Sequence, residues 1–254
     1  MQFGICPLSI VPIRSHPDDT SEMVSQVLYG EHFKVLECRK SWSRIRIAFD
    51  NCEGWVSNSQ FNFIEQKVFD SLEKSKHDQC NAELISFVET TASVLLPITI
   101  GSSPQNASLL SHVYESNSNA TKKQKSNLVQ TALLFLNAPY LWGGKTPFGI
   151  DASGLTQMVY KINGYNLLRS VSEQSAQGTP LSFIEESEPG DLAFFDNKDG
   201  EIHHVGLIMA HNYIIHVDGK VRIDRLDHTG IFNADDRTYS YQLRVIKKIV
   251  ETNS

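Results

Sequence analysis

Hydrophobic and polar positions change rhythm three times along the chain. In the first 65 residues the apolar positions fall in short, partly alternating runs, FKVLEC (33–38) and SRIRIAF (43–49), and Asp50 with Asn51 marks a turn before EGWVS (53–57). Period-two alternation marks a half-buried strand, and short strands at this spacing predict a small β-barrel over residues 1–65. From 66 to 125 the rhythm weakens. SLEKSKHDQCNAELISF (71–87) is compatible with a helix, and SVLLPITIGSSP (93–104) reads as a strand stopped by Gly101 and Pro104. SNSNATKKQKSN (116–127) reads as a solvated polar stretch. The expectation for 66–125 is a linker, with a partial second barrel as the alternative.

The pattern sharpens over 126–254. Val129, Ala132, Leu133 and Leu136 fall at i, i+3, i+4 and i+7, which predicts a helix with Ser126 as its cap and Pro139 as its stop. Leu155, Met158, Val159 and Ile162 repeat the stripe in a second helix, which Gly164 closes. After Pro189-Gly190 the chain turns to strands: DLAFFD, HHVGLIMA, YIIHVDG, VRID and QLRVIKKIV. Helices followed by antiparallel strands predict an α+β domain with helices packed on the sheet.

Composition narrows the function classes. With 23 Lys+Arg against 29 Asp+Glu the net charge is −6, so there is no basic footprint for nucleic acid or an anionic membrane surface. A cationic group, such as the amino end of a small peptide, suits this balance better. Cys6, Cys38, Cys52 and Cys80 show no CxxC spacing, so no zinc or dithiol site is expected and the thiols read as reduced and mostly buried. The first residues, MQFGICPLSIVPIRS, make a poor signal peptide, and no apolar run reaches the ~18 residues of a membrane span. The expectation is a cytoplasmic protein without a cofactor.

The chemistry concentrates in APYLWGGKTPFGIDASGLTQMVY (138–160). Three glycines and two prolines force tight turns directly before Asp151-Ala152-Ser153, at the predicted start of the second helix. A side chain there sits at the positive end of the helix dipole beside unsatisfied backbone N–H groups, where a cysteine thiolate is favoured and an oxyanion is held. The residue at that place is Ala152, which has nothing to attack with. Ser153 lacks the GxSxG elbow of a serine nucleophile. His203, His204, His211 and His216 have no accompanying HExxH or cysteine pair, so no metal site is expected.

PYLWGGKTPFGIDASGL resembles the nucleophile segment of the NlpC/P60 cysteine peptidases, whose usual form ends in Asp-Cys-Ser-Gly-Leu. PGDLAFF (189–195), HHVGLIM (203–209) and YIIHVDGKVRI (213–223) follow in the family's order. TSEMVSQVLYGE (20–31) and DNCEGWV (50–56) are similar to the bacterial SH3-type domain fused to a subset of that family. The resemblance implies a papain-like domain behind an SH3-like barrel. It also implies a murein-peptide endopeptidase that cuts between γ-D-Glu and the diamino acid behind a free N-terminal L-Ala. Carried over by position, His204 is the general base and His216 the polar third member. Ala152 occupies the nucleophile position, and Ser153, Tyr140, Trp142 and Asp151 line the oxyanion region and cleft. Glu22 matches an amine-binding glutamate.

Three positions depart from the family's pattern. Ala152 replaces the cysteine, Ser170 replaces an aspartate that meets the substrate's ammonium, and Cys52 replaces a tyrosine of the SH3-type domain. Three readings stay open: a peptidase whose cysteine was replaced to trap substrate, a natural pseudoenzyme that binds murein peptides, or an interaction module for a protein partner. In all three the chain as written is expected to be inactive by a thiol route. The triad assignment also makes a demand on register. A two-residue turn at His211-Asn212 would put His204 and His216 on opposite faces of their hairpin, whereas an odd loop puts both on one face.

Overall fold

The computed structural model describes residues 2–74, 80–115 and 124–250. The chain divides into two compact units, Met1–Lys122 and Lys123–Ser254.

The first unit is built on seven strands, β1 (Gln2–Ile5), β2 (Ile10–Arg14), β3 (Met23–Leu28), β4 (His32–Cys38), β5 (Trp42–Ile47), β6 (Glu53–Ser57) and β7 (Asn62–Ile64), in the sheet order β3-β2-β6-β5-β4-β1-β7. Alternation on β5 buries Ser43, Ile45 and Ile47 and leaves Arg44 and Arg46 outside. Ile45 and Ile47 join Val11, Ile13, Val27, Phe33, Val35 and Val56 in one core. A Cβ at Gly54 would stand 2.4 Å from Ile13 Cγ2, so glycine is what lets β6 close on β2.

The linker expected over 66–125 is not what the described residues there form. Helix α1 (Gln66–Lys74) buries Phe69, and the antiparallel pair β8 (Ile85–Glu89) and β9 (Leu95–Thr99) is followed by a 3-10 segment, Pro104–Leu110. Val88, Ile98, Ala107 and Leu110 pack with Ile5 and Tyr29 in a second core of this unit. Gly30 has φ +75°, and a Cβ there would fall 2.1 Å from Ser103 O, so the close approach requires glycine. The sequence signal was weak because Ile85, Phe87 and Leu95 are apolar on the exposed face, which erases the alternation. Most of the polar stretch 116–127 lies outside the described residues. Of the four free cysteines only Cys6 is buried, its thiol pushed up to about 12 by that burial; Cys38 is exposed and Cys52 and Cys80 are intermediate.

The second unit contains α2 (Asn127–Leu133), the short pair β10 (Lys145–Thr146) and β11 (Gly149–Ile150), α3 (Ala152–Ile162) and α4 (Val171–Ser175). Its sheet comprises β12 (Thr179–Leu181), β13 (Leu192–Asp196), β14 (Ile202–Met209), β15 (Tyr213–Asp218), β16 (Lys220–Leu226), β17 (Gly230–Asn233) and β18 (Thr238–Lys248), ordered β12-β18-β13-β14-β15-β16-β17 and antiparallel throughout. α3 packs on β14 and β15, and every one of its side chains is buried. Ser126 does not cap α2: it is itself helical (φ −58°, ψ −22°) and its side chain makes no cap bond, and the helix ends at Leu133, before Pro139.

The Pro189-Gly190-Asp191 segment is a structural junction. Gly190 takes φ +99°, its carbonyl accepts from Tyr160 Oη at 2.6 Å, and Ile208 N donates to Asp191 O. The buried Asp191 carboxylate lies 2.7 Å from Lys125 Nζ, which also reaches Glu188. This ties the entry of α2, the middle of α3 and strands β13 and β14 together.

Candidate active site

The first turn of α3 is held from three sides. Asp151 is its N-cap, with extended backbone (φ −100°, ψ 175°), and its Oδ1 accepts from Gly154 N at 2.6 Å. Its Oδ2 accepts from Gly143 N at 2.9 Å, which pins the glycine loop to the helix. The buried Arg169 forks onto the same carboxylate, Nη2 to Oδ2 at 2.7 Å and Nη1 to Oδ1 at 3.0 Å. Nη1 also donates to Ser153 Oγ at 2.9 Å, so the serine hydroxyl is engaged in this network. Gly154 is required here, because a Cβ would sit 2.3 Å from Gly144 O. From the far side Gln174 donates to the carbonyls of Ser153 and Leu168 and accepts from Thr156 Oγ1, which fixes α4 to α3. Ala152 heads this helix at 9% exposure, with the N–H groups of Ala152 and Ser153 in the turn that has no intrahelical acceptor.

The histidines answer the register question. β14 and β15 pair Leu207 with Ile215 and Met209 with Tyr213, leaving a three-residue loop, 210–212, in which His211 and Asn212 both have left-handed φ. An odd loop puts His204 and His216 on one face of the sheet. Gly206, between them, is opposite His216, whose Cβ would be 3.0 Å from a Cβ at 206. His204 Nε2 lies 3.0 Å from His216 Nδ1, with the rings perpendicular. Both are buried. Burial, then the neighbouring His216 and His203, hold His204 well below the ordinary imidazole range, so it is a neutral base.

A tyrosine from the far end of the chain covers that base. Tyr241 stacks on His204 with ring centroids 3.9 Å apart and 10° between planes. Burial, followed by the charges of Asp218 and Tyr140, pushes Tyr241 up to about 12. Tyr140, 47% exposed, is in turn raised by burial and by Asp151. The loop carrying it is fixed by backbone bonds from Tyr140 N to Gly219 O and Leu141 N to Ile150 O.

The remaining expected site residues fall as follows. Trp142 is 58% exposed on the glycine loop. Ser170 is the N-cap of α4 in a reciprocal capping box with Glu173, whose Oε2 is 2.7 Å from Ser170 Oγ. Glu22 is exposed just before β3 in the first unit, and Cys52 packs on that unit's core from the Asp50–Cys52 turn. His203 and His211 are exposed and stand outside the His204–His216 pair.

Comparison with known proteins bears directly on this arrangement. Residues 137–236 match the NlpC/P60 family, a stretch that contains Ala152, His204 and His216. The second unit carries an NlpC/P60 domain. Residues 13–61 match the bacterial dipeptidyl-peptidase SH3 domain. The chain is 27% identical to dipeptidyl-peptidase 6 of Lysinibacillus sphaericus, over 84% of this chain and 88% of the relative. It is 37% identical to γ-D-glutamyl-L-lysine dipeptidyl-peptidase of Bacillus subtilis (strain 168), over 37% of this chain and 32% of that protein. The crystal structure of an NlpC/P60 family protein from Bacillus cereus superimposes with a TM-score of 0.76 at 18% identity, over 98% of this chain and all of that one.

Within the NlpC/P60 domain, sequence reasoning missed Asp224, Arg222 and Tyr241. Asp224 Oδ2 is 2.9 Å from His216 Nε2, and Arg222 Nε is 2.6 Å from the same oxygen. A signal for the first two existed. β15 and β16 pair His216 with Arg222, so 216, 222 and 224 share a face, as alternating polar residues in an apolar hairpin. Tyr241 had no such signal, since two bulges in β18, at Ser240 and Arg244, break its parity.

Proposed function

We propose that the NlpC/P60 domain binds murein peptides that carry a γ-D-glutamyl–diamino acid bond behind a free L-Ala, and holds them without cleaving them. The observation that carries the second half is Ala152 at the head of α3, in a domain whose His204–His216 pair is intact. The names of two relatives, γ-D-glutamyl-L-lysine dipeptidyl-peptidases of Bacillus subtilis and Bacillus cereus, support the substrate class.

With a cysteine at 152 these elements would perform acyl transfer in the papain-like manner. His204 would take the thiol proton, and the thiolate would attack the γ-carbonyl carbon. The N–H groups opening α3 would bind the oxyanion, and His204 would return its proton to the leaving amine. A methyl group cannot form the thioester, so the path stops before its first covalent step. An intact His204–His216 pair behind alanine fits either a natural binding protein or a peptidase with its cysteine exchanged.

Calorimetric titration with L-Ala-γ-D-Glu-L-Lys, followed by mass spectrometry of the mixture, tests this reading. Saturable binding with no release of L-Ala-γ-D-Glu is expected. Release of the dipeptide, or no binding at all, overturns it.

A further inference from the structure

The buried histidine pair continues into a third and a fourth residue. Beyond His216 lies Asp224, 5% exposed, with Oδ2 at 2.9 Å from His216 Nε2. Arg222 grips that carboxylate with Nε 2.6 Å from Oδ2 and with Nη2 donating to Oδ1 at 2.9 Å. Arg222 Nη2 also donates to Asn233 Oδ1 at 3.1 Å and to Asp235 Oδ2 at 2.9 Å, which anchors the guanidinium on β17 and the turn after it. Burial pushes the Asp224 carboxyl up, but hydrogen bonds from His216 and Arg222 outweigh this and hold it below its ordinary value, as a carboxylate.

A carboxylate only accepts, and a guanidinium only donates. His216 Nε2 must therefore carry the hydrogen that bonds to Asp224. In a neutral His216 this leaves Nδ1 as an acceptor, so the bond at 3.0 Å is donated by His204 Nε2. A neutral His204 with its hydrogen on Nε2 keeps Nδ1 unprotonated. We propose that Asp224, clamped by Arg222, is a positioning residue that sets the tautomers of His216 and His204 and leaves His204 Nδ1 as the basic atom of the site. The proposal rests on the reading of His204 as the base, yet it concerns proton positions that exist in this chain without a nucleophile or substrate.

Two substitutions separate an acceptor role from the alternatives. In Asp224→Leu, nearly isosteric, His216 Nε2 loses its acceptor and faces the Arg222 donors. The hydrogen on His216 moves to Nδ1, and His204 then accepts at Nε2 and carries its own hydrogen on Nδ1. In Asp224→Asn the amide oxygen takes the place of Oδ2 and accepts from His216 Nε2, while the amide NH2 takes the place of Oδ1 and Arg222 Nη2 keeps its bonds to Asn233 and Asp235, so the tautomers stay as they were.

The experiment is 15N NMR of the histidine rings in the neutral-imidazole range, on the full chain with Ala152 retained, assigned through single-histidine substitutions. Unaltered chain and Asp224→Asn should both show His204 and His216 protonated at Nε2, and Asp224→Leu should show both protonated at Nδ1. If only the negative charge matters, Asn and Leu change together; if only packing matters, neither changes; both outcomes overturn the proposal. Should Asp224→Leu not fold, the unaltered chain still decides, because a hydrogen on Nδ1 of either neutral ring contradicts the assignment. In an Ala152→Cys background the Leu variant should lose at least about a hundredfold in kcat with KM little changed, and Asn should restore most of it. Absence of hydrolysis in that background would count against the peptidase reading while leaving the tautomer result standing.

Discussion

The Tyr241 ring lies flat on His204, 3.9 Å between centroids and 10° from parallel. The stack covers one face of an imidazole whose edge is already bonded to His216, and so keeps water from the base. Tyr241→Ala is expected to raise the His204 pKa toward the ordinary 6.5, since burial is the largest cause of its depression. Tyr241→Phe should leave it low, because the stack needs only the ring. A stacked pair of this kind contributes about 0.5–1.5 kcal/mol beyond its buried area. Histidine titration by NMR on the two variants checks the effect.

Arg169 and Asp151 form a buried bidentate pair that also organises the α3 cap, the glycine loop and Ser153. Removing one partner strands the other charge, so Arg169→Met should destabilise the second unit by about 3–5 kcal/mol. Asp151→Asn combined with Arg169→Met should recover part of that loss, since asparagine still caps the helix. Denaturant unfolding of the single and double variants measures both.

His204 also makes stability depend on pH. Its folded pKa lies well below its unfolded value near 6.5, so below 6.5 the unfolded chain binds a proton that the folded one refuses. This contribution is complete above 6.5 and is lost as pH falls from there toward the folded value. Its greatest slope is about 1.4 kcal/mol per pH unit for one proton. His204→Gln should flatten the decline of the second unit's stability below pH 6.5, which thermal unfolding across pH 7.5 to 5 would show.

Legibility from sequence followed the regularity of each element. The strands of the barrel and of the second sheet announced themselves by alternation, as Ile45 and Ile47 do on β5. The stripe Leu155, Met158, Val159, Ile162 located α3. The nucleophile position was readable because Asp151 caps a helix directly after a glycine loop whose close contacts admit no Cβ at Gly144 or Gly154. β9 reads as a strand over 93–104, whereas β8 was missed because Ile85 and Phe87 are apolar on its exposed face, and Tyr241 because bulges shift β18 on either side of it. Ser170 illustrates the opposite case. A position expected to meet substrate closes a capping box with Glu173, a role that three-residue spacing alone would have indicated.

The central claim is that the catalytic groups of this site lack only the nucleophile. Hydrolysis of L-Ala-γ-D-Glu-L-Lys by Ala152→Cys, compared with the unaltered chain and with Ala152→Cys/His204→Gln, tests it most directly. The restored thiol would stand at a capped helix N-terminus, where thiolate is favoured. The account predicts release of L-Ala-γ-D-Glu by the single variant, none from the unaltered chain, and a loss of about 10²–10⁴-fold when His204 is also removed. A folded Ala152→Cys protein that binds the peptide and leaves it intact would contradict it.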